Sequence, residues 1–197
     1  MRWVAGLPLL TRERSMTGLD PRAAEVVQFW QDAGKEAWFT KDAAFDAGFH
    51  DRFRELHFAA ARRELDHWIE LPESALALMI VLDQFPRNCF RGTGHMFATD
   101  PLARSFARKA LQAGHIERVS RELQIFFLLP FEHSEDLADQ HLSVELFAPY
   151  GEEYLKYAVV HREIIERFGR FPHRNAALGR DTTPEERAFL EGGGFAG

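Results

Sequence analysis

IVLDQFPRNCFRGTG, residues 80–94, is where an apolar helical run gives way to a polar cluster. The run reaches Asp83 and Gln84, meets Pro86, and continues as Arg87, Asn88 and Arg91. A proline breaks a helix, so the run from 73 is expected to end near 85. Asp83 would then sit near a helix C-terminus, where the backbone dipole is already negative, with Arg87 and Arg91 as the nearest compensating cations. A second apolar run, IFFLLPFEHSEDLADQ (125–140), repeats the pattern. It meets Pro130 and opens into His133, Glu135, Asp136, Asp139 and Gln140. Two buried helices that both deliver polar side chains at their ends predict a lined pocket rather than a solvated surface.

Outward from these runs, helix signals dominate. Asp20-Pro21, Asp100-Pro101 and Thr183-Pro184 each place a capping side chain before a proline suited to the first helical position. Thr183 with Glu186 reads as a capping box. Apolar residues recur at three and four, as in Val26, Val27, Phe29, Trp30 and in Phe45, Phe49, Phe53, Leu56. No window alternates with period two. Helices are expected near 21–33, 43–70, 73–85, 101–113, 120–129, 134–148, 150–168 and 184–191, the long second one bending near His57. Gly114 and Gly169 fall where left-handed C-terminal caps belong. The 73–85 and 120–129 helices are apolar nearly all round and are expected to be central. The fold class that follows is all-α: a single domain over 19–197 of antiparallel helix pairs stacked on short connections. Residues 1–18 read as a disordered or loosely docked extension, with Met16 as an alternative start.

Composition narrows the partners. The chain has 197 residues and a net charge of −6, which argues against nucleic-acid binding. The charge is uneven: six basic residues against two acidic ones lie from Arg87 to Arg118, and five arginines against two glutamates from His161 to Arg180. Such local basic linings fit a small anionic molecule better than a polyanion. The one cysteine, Cys89, rules out an internal disulfide and fits a reducing, cytoplasmic setting. No apolar stretch approaches the roughly 20 residues of a membrane span, so no membrane partner is expected.

Three polar constellations carry the candidate chemistry. The first is Asp83, Gln84, Arg87, Asn88 and Arg91. On a helix over 134–148 the second groups Asp136, Asp139, Gln140 and Ser143 on one side, behind His133 and Glu135. The loop FGRFPHRNAALGR (168–180) is the third, with Arg170, His173, Arg174 and Asn175 among glycine and proline punctuation. Arginines in such a loop can hold a carboxylate or phosphate in bidentate geometry. His133, Asp136 and His173 are residue types that bind divalent ions, but no HExxH or paired-cysteine pattern accompanies them. No metal site and no cofactor are therefore expected. A histidine held by a carboxylate remains, with His133 or His173 as the proton carrier.

These segments belong to a longer series of motifs: FW (29–30), WF (38–39), LDQFPRN (82–88), RGT (91–93), FATD (97–100) and LPFEHSEDLADQ (129–140). SVELF (143–147), HR (161–162), FGRFPHRN (168–175), LGR (178–180) and TPEE (183–186) follow. In this order they resemble the bacterial domain-of-unknown-function family 924, across roughly residues 20–192. The resemblance implies an all-helical, tetratricopeptide-like fold, and it carries no established activity. Its polar motif residues map here onto the same three constellations. Cys89 and the turn Gly94-His95-Met96 depart from the family's commoner pattern, so neither Cys89 nor His95 is read as a family residue.

Two functions are expected to compete. In the first, an enzyme of hydrolase or lyase type acts on a small anionic substrate by acid–base chemistry. His133 or His173 moves the proton, Asp83 or Asp136 orients it, and Arg87, Arg91, Arg170 or Arg174 hold the anion. In the second, the protein binds a peptide or protein without catalysis, or its polar clusters are a buried network that fixes helix order.

Overall fold

The structure, a computed structural model, describes residues 18–195, and every regular element among them is a helix. The expectation for residues 1–17 of the extension lies outside the described residues. The α-helices are α1 (Pro21–Trp38), α2 (Ala43–Ala61), α3 (Pro72–Met79), α4 (Phe85–Cys89), α5 (Asp100–Gln112), α6 (Leu129–Glu132), α7 (Leu137–Phe147), α8 (Glu152–Phe168) and α9 (Pro184–Glu191). None of these helices is long and apolar enough to cross a membrane.

The apolar segment 74–86 is buried at every position and forms the centre. On it pack α1 and α5, while α2 covers the turn that follows and α4. α7 and α8 lie against each other beside α6. The core is aromatic: Trp30 meets Phe126 edge-on at 5.4 Å, and Phe49 meets Phe85 at 5.1 Å. Gly34 interrupts α1 with a φ of 76°. The chain swings there so that Trp38 returns to stack on Trp30, its indole N–H donating to the Trp30 carbonyl at 2.6 Å. That swing also brings Phe39 and Lys41 to the edge of the cavity described below.

Several boundaries differ from the sequence expectation. The 43–70 stretch breaks after Ala61, where Arg63 takes a left-handed φ of 69° and pairs with Asp66; His57 sits within α2 instead. The 120–129 helix is replaced by a 3-10 turn over Gln124–Phe127 leading into α6. Asp100 does not cap α5, because its carboxylate is engaged by arginines. The capping box of Thr183 and Glu186 is formed, and Gly114 and Gly169 take left-handed φ values of 65° and 68°.

The largest difference is at Pro86. The helix does not stop; it widens into a π-helical turn over Ile80–Gln84 and runs on as α4. Phe85 N–H reaches back to the Ile80 carbonyl, which frees the Val81 carbonyl, and Pro86 has no N–H for the Leu82 carbonyl. Side chains from other helices take both: His57 Nδ1 donates to Val81 at 2.8 Å and Thr99 Oγ1 to Leu82 at 2.5 Å. Asp83 is therefore inside a continuous helical segment, not at its C-terminus. Turns of this type recur at functional sites.

Candidate active site

The π-helical turn aims Asp83 into the protein, where it is fully buried. Its carboxylate accepts from Gln84 Nε2 at 2.7 Å and lies 3.1 Å from Arg87 Nη1. His133 Nδ1 completes the set at 2.9 and 3.1 Å from the two carboxylate oxygens. Burial pushes Asp83 up, but Arg87, His133 and Gln84 outweigh it and hold the carboxyl below the usual carboxylate range. His133 is pushed below its ordinary value by burial and by Arg87, against the pull of Asp83. At neutral pH the pair is thus a carboxylate accepting Nδ1–H of a neutral imidazole. That fixes the tautomer and leaves Nε2 as the basic nitrogen, with no partner among the described residues.

The backbone around His133 is clamped from two sides. Gln140 Nε2 donates to the carbonyls of Glu132 at 2.7 Å and Ser134 at 2.6 Å, and Arg174 Nη2 donates to the His133 carbonyl at 3.0 Å. Arg174 is itself sandwiched between Phe97 and Phe171, at 4.6 and 4.4 Å from the ring centroids. With Arg87 it shares Asp100, whose oxygens receive Arg87 at 2.8 and 3.0 Å and Arg174 at 3.4 Å. Arg87 and Arg174 are thereby matched by Asp83 and Asp100.

His133, Arg87 and Arg174 face a cavity of about 460 Å³. Of the residues singled out in the sequence, Gln84, Arg87, Asn88, Arg91, His133, His173 and Arg174 line it, and Asp83 stands behind His133. Arg91 is paired with Asp46 at 3.0 Å and donates to Asn88 Oδ1 at 2.6 Å. His173 lies between Phe171 and Phe195, and burial lowers it to about 4.

The other singled-out residues do not reach the cavity. Asp136 is exposed and caps α7, accepting from the N–H groups of Ala138 and Asp139. Asp139 is buried among Ser134, Arg104 and Arg108. Glu135 accepts from Arg180 and from Phe171 N–H. Arg170 and Asn175 both bind Glu186 and tie the 168–180 loop to α9. The polar side of α7 is turned inward, with Asp139, Gln140 and Ser143 buried while Leu137 and His141 face solvent. Among the described residues no group of three or more His, Cys, Asp or Glu side chains is arranged to hold a metal ion.

Four kinds of lining residue were not anticipated. Glu132 is nearly buried, and its carboxyl is raised to about 8 by burial and by the Asp83 charge, so it carries a proton at neutral pH. His161 donates Nδ1–H to the Tyr157 carbonyl at 2.8 Å and lies 3.7 Å from Glu132. Burial holds it neutral, at about 3. Lys35, Lys41, Tyr154 and Tyr157 also line the cavity, with Lys35 Nζ 5.1 Å from the Tyr154 ring centroid. Signals for some were present: Glu132 and His161 both fall inside the motifs LPFEHSEDLADQ and HR.

Residues 26–194 match the family described as bacterial protein of unknown function (DUF924), and the chain belongs to that family. It is also similar to the solved structure of a protein of unknown function from Agrobacterium tumefaciens. The two share 63% identity and a TM-score of 0.85, over 86% of this chain and 97% of that one. No curated protein matches the chain.

Proposed function

We propose that this family member is an acid–base enzyme, of hydrolase or lyase type, acting on a small anionic substrate in the cavity. The observation that carries the reading is the His133–Asp83 pair opening onto that cavity beside Glu132. His133 Nε2 is poised to take a proton from the substrate or from water, and Asp83 stabilises the imidazolium that results. Glu132, protonated at neutral pH, can deliver a proton to the departing group. Two groups whose surroundings push their titrations in opposite directions are the usual mark of an assigned base and acid. Asp83, Arg174 and Gln140 act through His133 as positioning residues. A reducing cytoplasmic setting goes with this reading, since Cys89 is the one cysteine.

A non-catalytic reading has its own support. Arg87 and Arg174 are already matched by carboxylates, as a structural network requires, and the α7–α8 pair is the kind of unit from which a tetratricopeptide-like binding stack is built. Turnover separates the readings. The purified chain is incubated with a panel of small carboxylate- and phosphate-bearing esters, amides and hydroxy acids, beside His133→Gln and Glu132→Gln. Turnover that falls about 100-fold or more in either variant, with unchanged melting, supports acid–base catalysis. Turnover indifferent to both substitutions would remove the assignment.

A further inference from the structure

The charge and the texture of the cavity wall narrow the ligand, on the premise that the cavity is the acid–base site proposed above. Five cationic side chains line it: Lys35, Lys41, Arg87, Arg91 and Arg174. Four of them are compensated. Arg87 and Arg174 share Asp83 and Asp100, Arg91 has Asp46, and Lys35 Nζ lies 3.2 Å from Glu153. Glu132, the remaining carboxyl of the wall, is held neutral by its burial. Lys41 is exposed and has no ion pair among the described residues, so the wall as a whole carries one unmatched positive charge.

A polyanion would find that single charge and then cations already held in ion pairs, those of Arg87 and Arg174 with Asp83 and Asp100 being buried. Breaking a buried pair leaves a desolvated charge without its partner, which is costly. One negative charge is what the wall accommodates. Much of the rest of the lining is aromatic. Trp38, Phe39, Phe147, Tyr154 and Tyr157 contribute to it, with Phe147 and Tyr154 stacked at 6.3 Å. Phe39 and Tyr157 are more than half exposed and offer ring surface to a bound molecule. A volume of about 460 Å³ falls among those of pockets for small organic molecules.

We infer that the ligand is an amphipathic monoanion, a small acid with one negative charge near Lys41 and an aromatic or aliphatic body against Tyr154 and Tyr157. Its reactive bond then lies inward, at His133 and Glu132. Citrate-like polyacids, nucleotides and free phosphate are excluded as good ligands by the same charge count.

The probes are 4-phenylbutyrate, the neutral 4-phenylbutan-1-ol, citrate and inorganic phosphate, titrated calorimetrically into the full chain. Phenylbutyrate is expected to bind best, the alcohol more weakly, and citrate and phosphate more weakly still. Lys41→Gln should weaken phenylbutyrate about threefold, the size expected of one exposed charge, and leave the alcohol unchanged. Tyr157→Ala should weaken phenylbutyrate and the alcohol alike, about fivefold, as loss of an aromatic contact does. Citrate or phosphate binding more tightly than phenylbutyrate would overturn the inference, as would equal binding of acid and alcohol, or no binding of either. His133→Gln separates this inference from the catalytic one. If that variant binds phenylbutyrate as the unmodified chain does, the ligand class stands, whether or not any ester of the class is turned over.

Discussion

The wall formed by residues 80–89 and 129–140 and the loop from 168 to 186 are built from the same residue types, and they end up chemically opposite. In the loop, Arg170, Asn175 and the Thr183 cap converge on Glu186, and Arg180 closes on Glu135. Glu186 and Glu135 each have an arginine donor, and Glu186 is held at about 2, chiefly by Arg170. The result is a clasp that fastens α9 to the body. In the wall, Asp83 and Arg87 are matched as well, but two groups are left incomplete: His133 Nε2 and the Glu132 carboxyl. Density of charge therefore does not distinguish a site from a strut. What distinguishes them is a titratable group that the fold buries, orients and leaves without a partner beside open volume.

The largest effect expected from this contrast is on turnover. His133→Gln keeps a side chain able to donate to Asp83 but has no basic nitrogen. Against a substrate of the proposed class it should lose about 10²–10⁴ in kcat while melting within a few degrees of the unmodified chain. Turnover should also fall on the alkaline side as Glu132 ionises near 8, and Glu132→Gln should abolish that limb. A pH–rate profile whose alkaline limb survives Glu132→Gln would assign the proton donor elsewhere.

Next in size is the acid lability of the fold. His57, His161 and His173 are lowered to about 4, 3 and 4, each first by burial. An unfolded chain binds protons on these histidines near 6.5, the folded one only well below. Their contribution to stability is thus complete above 6.5 and lost as the pH falls towards 4. Urea melts should show stability dropping steeply across that window. His173→Phe, which fits between Phe171 and Phe195, should remove one proton from the slope, about 1.4 kcal/mol per pH unit. An unaltered slope would mean that His173 titrates normally.

Asp83→Asn is the third test, read as stability. It leaves Arg87 matched only through Asp100 and breaks a buried pair, a loss of about 3–5 kcal/mol by denaturant melts. The sequence led to the same residue by a different route, and the difference is instructive. The conjunction of an apolar run with Asp83 and Arg87 was legible, and so was the all-helical fold, from caps, glycines and periodicity. What could not be read was how the chain passes Pro86. A proline normally ends a helix, and here Thr99 and His57, distant in sequence, satisfy the carbonyls that the π-helical turn frees. Asp136 shows the converse. It shares a helical face with Asp139 and Gln140, yet it precedes the first turn of α7, and capping two backbone N–H groups is the more local demand. Glu132 is not legible in the sequence because its chemistry comes from burial by α7 and α8 and from the charge of Asp83, none of which is visible in its neighbours along the chain.

Arg170→Ala gives the smallest expected effect and is the sharpest test of the contrast. Arg170 lies outside the cavity and is bound to Glu186 and to the Asp181 carbonyl. Its loss should loosen α9 and lower the melting temperature by less than Asp83→Asn does, since Thr183 and Asn175 still hold Glu186. Turnover per folded molecule and its pH profile should be unchanged, because no atom of the clasp touches His133 or Glu132. A variant that melted normally but lost turnover would mean that Arg170 acts on the site through the 168–180 loop, which also carries His173 and Arg174. The loop and the wall would then be one functional unit, and the distinction between strut and site would have to be drawn within the loop itself.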